Sequence, residues 1–249
     1  MSIFSIHSNL FFVLLSSFFI SLVLTYVFIR ERIIPRNYSN DLNVGFQKIH
    51  DGNIKRIGGL AIVFSIILVL IINDFFFQIK SGFNLLFIIF FCVIIFIIGF
   101  IEDLIKDINP IKRLIVLFTT TCIWLIYSKN LIQNTNIDFI DNIITIDFFS
   151  VILSIICIIA ALNATNMMDG ANGLLTLYGI FVSLILLFYA ISDENMSLII
   201  ILLTTIGSLF GFFIFNWPKG IIFLGDGGSY FIGALLSTIL IYMSNNLNN

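Results

Sequence analysis

The chain is built from apolar runs of membrane-crossing length, and that pattern leaves few folds open. Stretches dominated by Ile, Leu, Phe and Val recur near 10–29, 57–73, 84–101, 113–128, 150–165, 173–191, 197–215 and 229–243. A helix crossing the hydrocarbon layer takes about 20 predominantly apolar residues, with a range of about 17–25. Composition agrees: hydrophobic residues make up 59% of the 249, charged residues 10%, and the mean hydropathy is +1.12. A soluble domain carries about 25% charge, so lipid must solvate most of this chain. The expected fold is all-α, a polytopic membrane bundle of about eight transmembrane helices forming one domain over residues 1–249.

Lys and Arg set the orientation, because cytoplasmic loops hold the excess. Segments 30–56, 102–112 and 216–228, with their helix-end flanks, hold Arg30, Arg32, Arg36, Lys48, Lys55, Arg56, Lys106, Lys112, Arg113 and Lys219; the alternate loops hold Lys80 and Lys129. This distribution places the amino terminus outside and the first set in the cytosol. The first run lacks a basic leader and a small-residue cleavage site, and Arg30, Arg32 and Arg36 follow it, so it reads as a retained helix. Nothing resembles a basic nucleic-acid face. Cys92, Cys122 and Cys157 sit inside apolar runs without metal-ligand spacing, and His7 and His50 form no pair.

Short polar breaks interrupt the apolar runs, and the loop parity puts the four that carry motifs on the cytosolic side. KIHDGNIKRIGGL (48–60) brings Lys48, Lys55 and Arg56 up to a Gly58-Gly59 pair at a helix start, where backbone N–H groups suit an anion. The competing reading is positive flanking plus a small-residue helix contact. GFIEDLIKD (99–107) sets Glu102 beside Asp103. Neighbouring carboxylates repel unless a cation lies close, and Mg²⁺ is held by one or two carboxylates with substrate phosphates. A solvated turn laced with ion pairs is the alternative there.

NATNMMDGANG (163–173) repeats Asn163, Asn166, Asp169 and Asn172 at three-residue spacing, one face of a helix if the glycines do not break it into a turn. Polar side chains at membrane depth cost several kcal/mol and face a bundle interior or an aqueous cleft; hydrogen bonding between helices is the structural alternative. FNWPKGIIFLGDGGSYFIG (215–233) carries Asn216 and then Asp226 among glycines, just before the last run. Asp226 reads as either a helix cap or a ligand for a metal-bound phosphate.

Together, RIGGLAI (56–62), GFIEDLIKD (99–107), NATNMMDGANGL (163–174) and FLGDGGSYFIG (223–233) resemble the polyprenyl-phosphate N-acetylhexosamine-1-phosphate transferases, glycosyltransferase family 4. The motifs stand in family order from about 48 to 240. The resemblance implies transfer of a HexNAc-1-phosphate from a UDP-HexNAc to undecaprenyl phosphate with release of UMP. It also implies Mg²⁺, with Mn²⁺ as a substitute, in a multi-pass protein of the bacterial inner membrane, and it is compatible with a homodimer.

It assigns Glu102, Asp103 and Asp169 as catalytic and Asp226 with Asp103 as metal ligands. Lys48, Lys55, Arg56, Arg113, Asn166, Asn172 and Asn216 become substrate-binding residues. Three departures accompany it. Glu102 stands where the family usually has Asp, Asn172 replaces a carboxylate, and the chain stops at Asn249 before the family's further helices and His-x-His loop. A shortened, impaired homologue is therefore a competing expectation. A transporter is another, and it would spread carboxylates through membrane depth.

Overall fold

A computed structural model describes residues 3–30, 55–76, 83–105 and 109–246. Its helices in chain order are α1 (Ile3–Arg30), α2 (Gly58–Phe76), α3 (Phe83–Ile105), α4 (Pro110–Ser128), α5 (Asp138–Ile144), α6 (Asp147–Met168), α7 (Leu174–Ser192), α8 (Met196–Asn216) and α9 (Gly225–Asn246). Seven of them are long and apolar enough to cross a membrane, and the apolar stretch of α2, Gly58–Asp74, is shorter. The protein is an all-helical polytopic bundle, as the apolar runs predict. The short α5, in the connection between α4 and α6, has no counterpart among those runs.

Several helices run past the apolar segments that announced them. Glu102 and Asp103 lie within α3, and Asp226 lies in the first turn of α9, not ahead of it. The reason is that apolarity marks where a helix meets lipid, whereas hydrogen bonding and caps decide where it ends. At α4, the Asn109 side chain accepts from Ile111 N at 2.9 Å and Pro110 occupies the first turn, a favourable start that fixes the place of Arg113.

α9 is the axis of the bundle. It packs against α2, α3, α6 and α7, while α8 joins α1, α2 and α7. Protein buries 78% of α9 and 72% of α8 but only 22% of α4, so α8 and α9 are central and α4 faces outward. Small residues let α1 approach α8: a side chain at Gly207 would collide with Ser17, and Ser21 Oγ donates to Ser208 O at 2.7 Å; from α2, Ser65 Oγ donates to Ser208 Oγ at 2.6 Å. With no water to expel, such close contact is what holds helices together in lipid.

At one end of the bundle the entries to α2 and α9 run side by side. Lys55 and Ile222 form an isolated parallel bridge, and Phe223 N donates to Lys55 O at 3.0 Å. Gly58 N and Gly59 N donate to Phe223 O and Leu224 O, each at 2.9 Å. The Gly58-Gly59 amides, expected to meet an anion, thus hold the neighbouring segment. A side chain on Gly59 would run into Gly228, so the small-residue helix contact is what this pair provides.

Candidate active site

The first-turn amides of a helix lack intrahelical partners. At α9 they are met by carboxylates from two other helices. Asp169, at the end of α6, accepts from Leu224 N at 3.1 Å through Oδ1 and from Gly225 N at 2.9 Å through Oδ2. Asp103, on α3, accepts from Gly227 N at 3.1 Å. Three amides, those of Leu224, Gly225 and Gly227, are therefore shared between two acids. Negative charge is stabilised there by the helix dipole. Gly225 makes the turn possible: its φ is +78°, and a side chain on it would strike Arg56 O.

With those amides engaged, Asp226 projects its own side chain. Oδ1 accepts from Arg56 Nη2 at 3.1 Å and from Asn166 Nδ2 at 2.8 Å, and Asn166 Nδ2 also reaches Ser229 Oγ at 3.2 Å. Among the described residues, Oδ2 of Asp226 accepts no hydrogen bond. Arg56 is the shared counter-charge, since its guanidinium acts on Asp103 and Asp169 as well as Asp226. Asp169 is 3% exposed. Burial pushes its carboxyl up to about 7, against the pull of Arg56 and the two amides.

Glu102 is turned away from Asp103, as consecutive helical residues must be. Its Oε1 lies 3.6 Å from Arg113 Nε, in the first turn of α4. The expected acidic pair is thus divided, Asp103 facing α9's amides and Glu102 facing a cation.

The remaining candidates tie loops together. Asn216 is buried and fully engaged: Oδ1 accepts from Gly173 N at 2.9 Å and Thr176 Oγ1 at 3.0 Å, while Nδ2 donates to Ile222 O at 2.9 Å. Asn172 Nδ2 donates to Pro218 O at 2.8 Å, so the helical stripe of asparagines ends at Met168 and Asn172 belongs to the turn beyond it. Lys55 Nζ donates to Phe28 O and Ile29 O, each at 2.9 Å, closing the end of α1. Lys48 lies outside the described residues. Asn216→Ala leaves Gly173 N and Ile222 O without their partner; we expect the thermal unfolding temperature of the detergent-solubilised protein to fall by about 6 °C.

Two residues of the site lie within FLGDGGSYFIG but receive no role from the sequence. Ser229 follows the GDGG turn and could be read as its continuation; Tyr230 reads as one more aromatic in an apolar run. What gives them a place is the helical spacing from Asp226, three and four residues on.

The polar end therefore combines motifs far apart in sequence: Arg56 before α2, Glu102 and Asp103 on α3, Asn166 and Asp169 on α6, and Asp226 on α9. Residues 85–244 match the profile of glycosyl transferase family 4. The chain belongs to that family. Among relatives of the family 4 chain, phospho-N-acetylmuramoyl-pentapeptide-transferase of Streptococcus sanguinis is 25% identical over 191 residues, covering 74% of this chain and 58% of that protein. The Streptococcus pneumoniae serotype 19F protein of the same name is 28% identical over 201 residues, covering 73% and 57%. The protein of that name from Leuconostoc mesenteroides is 44% identical over 75 residues, 30% of this chain and 23% of that protein. The chain thus spans less than three-fifths of the length of these curated relatives.

Whether the site suits Mg²⁺ can be judged from its donors. Among the described residues no three His, Cys, Asp or Glu side chains come close enough to form a protein cage. Mg²⁺ does not need one; it is bound by one or two carboxylates, with waters and substrate phosphates completing the octahedron. Asp226, with one oxygen uncommitted, and the adjacent Asp103 fit that mode.

Proposed function

We propose that this family 4 chain transfers a HexNAc-1-phosphate from a UDP-sugar to undecaprenyl phosphate at the cytosolic face of the bacterial inner membrane, releasing UMP. The observation that carries the reading is the Asp226 carboxylate, held between Arg56 and Asn166 where α2, α3, α6 and α9 converge. An oxygen of the lipid phosphate attacks the β-phosphorus, the bond from that phosphorus to the bridging oxygen breaks, and UMP departs with that oxygen. Phosphoryl transfer depends mainly on positioning and charge stabilisation.

Arg56 and Arg113 supply positive charge to the phosphates, and Asn166 orients Asp226. Asp103 and Asp169 hold the start of α9 rigid, so that Asp226 stays in place. Asp226 and Asp103 would hold Mg²⁺, whose chemistry when bound is to neutralise the diphosphate and the leaving UMP. The acceptor phosphate is already largely ionised near neutral pH, so no strong base is required.

A second feature supports a lipid acceptor. A cavity of about 460 Å³ runs between α6, α7 and α9, lined by Ile132, Cys157, Thr165, Tyr178 and Leu236 among others. It extends from the 129–149 connection at Asn134–Asn136 inward as far as Thr165 and Gly233, and its walls are mostly apolar, as a long hydrocarbon tail requires. The site's carboxylates also gather at one end of the bundle, which favours a transferase over a transporter with acids along a path.

The test is incubation of the purified chain in lipid with undecaprenyl phosphate and a panel of UDP-HexNAc donors. UMP release should require the lipid phosphate and stop with EDTA. Absence of lipid-dependent UMP release with every donor would overturn the reading.

A further inference from the structure

Two orphaned polar atoms lie beside the site. Glu102 Oε2 and the Tyr230 hydroxyl are both buried, and neither makes a well-formed hydrogen bond with any other group among the described residues. They are close neighbours across the α3–α9 contact. Leaving a buried polar group unsatisfied costs about 1–3 kcal/mol, and such orphans are rare in folded proteins. One hydrogen bond between these two satisfies both.

The surrounding geometry is shaped for that pairing. Tyr230 is four residues after Asp226, hence on the same face of α9, and it is 0% exposed. Its ring fits because α3 carries Gly99 there: a methyl group on Gly99 would sit 2.6 Å from Tyr230 Cδ2 and 2.7 Å from Asp226 O. Glu102 follows Gly99 by three residues on the same helix, so its carboxylate lies one turn along from the ring. An aspartate, one methylene shorter, would withdraw that carboxylate from the Tyr230 hydroxyl.

The other oxygen of Glu102 faces Arg113, but at 3.6 Å this is an ion pair without a short hydrogen bond. Arg113 is 30% exposed, and among the described residues its guanidinium makes no hydrogen bond. Its donors are thus set at the rim of the site by charge alone, and they are only as well placed as Glu102 is.

We infer that Tyr230 is a positioning residue: its O–H donates to Glu102 Oε2, and the Glu102 carboxylate so fixed holds the Arg113 guanidinium toward an anionic diphosphate substrate. Glu102 then acts through Arg113 and not as a base. The ligand chemistry rests on the transferase reading; the pairing itself does not.

Two measurements on the full chain separate those parts. In thermal unfolding in detergent, Tyr230→Phe and Glu102→Ala should be non-additive, the double variant being no less stable than the worse single. Additive losses overturn the pairing whatever the activity. In UMP release, Tyr230→Phe and Glu102→Asp should each raise the KM for the UDP-sugar about tenfold with kcat within about twofold, and Arg113→Ala should do so at least as strongly. The Tyr230→Phe change should vanish in the Arg113→Ala background. An unchanged KM in Tyr230→Phe, or a fall in kcat alone, overturns the positioning role. If the wild-type chain releases no UMP, the transferase reading fails and the unfolding cycle still decides the pairing.

Discussion

Asp226→Asn should lower UMP release by about 10³-fold while leaving the fold intact. A metal on a phosphoryl oxygen contributes several kcal/mol of charge stabilisation, and about 4 kcal/mol corresponds to a thousandfold in rate. The amide keeps an acceptor for Arg56 Nη2 and Asn166 Nδ2, which both address Oδ1 in the wild type. The substitution removes the charge that Arg56 faces and the oxygen offered to a cation. Unfolding temperature should therefore stay within a few degrees while the Mg²⁺ concentration for half-maximal rate rises. Near-normal, EDTA-sensitive UMP release from Asp226→Asn would remove Asp226 from the metal role.

The second large effect is on stability. Asp169→Ala leaves the amides of Leu224 and Gly225 unpaired inside the protein. Hydrogen bonds to a charged group contribute about 1.5–3 kcal/mol each, so the expected loss is about 4 kcal/mol, or roughly 10 °C in unfolding temperature for a chain of this size. Activity falls with it, because the start of α9 carries Asp226. A companion variant, Asp169→Asn, tests the titration.

Burial raises the Asp169 carboxyl to about 7, whereas an unfolded Asp titrates near 4. The folded state therefore holds the extra proton between those values. Stability from this group is fully present below about pH 4 and is lost as pH rises through 7. The unfolding temperature of the wild type should carry that slope across pH 5–8, and Asp169→Asn should be flatter. Identical slopes would show that Asp169 does not titrate there.

Much of the molecule was legible from the chain alone. The apolar runs placed the long helices within about four residues at every end but the start of α1, and loop parity put the motifs at one end, where the fold assembles them. Asp103, Asp169 and Asp226 lie in three of those motifs, and the fold brings them together around the start of α9. Their distinct geometric roles were not legible. Two of them serve the amides of Leu224, Gly225 and Gly227, and nothing in GFIEDLIKD or NATNMMDG names a partner more than fifty residues away. Asn216 and Asn172 carried the same ambiguity, since an asparagine in a polar break reads alike whether it meets a ligand or a carbonyl.

Tyr230 was missed because an aromatic in an apolar run has an ordinary explanation; only its orphaned hydroxyl facing Glu102 sets it apart. The spans were determined by the sequence itself, because solvation by lipid acts on local composition. The division of labour among the carboxylates was decided by tertiary structure. It depends on which backbone amides and cations reach each oxygen once α3, α6 and α9 have packed.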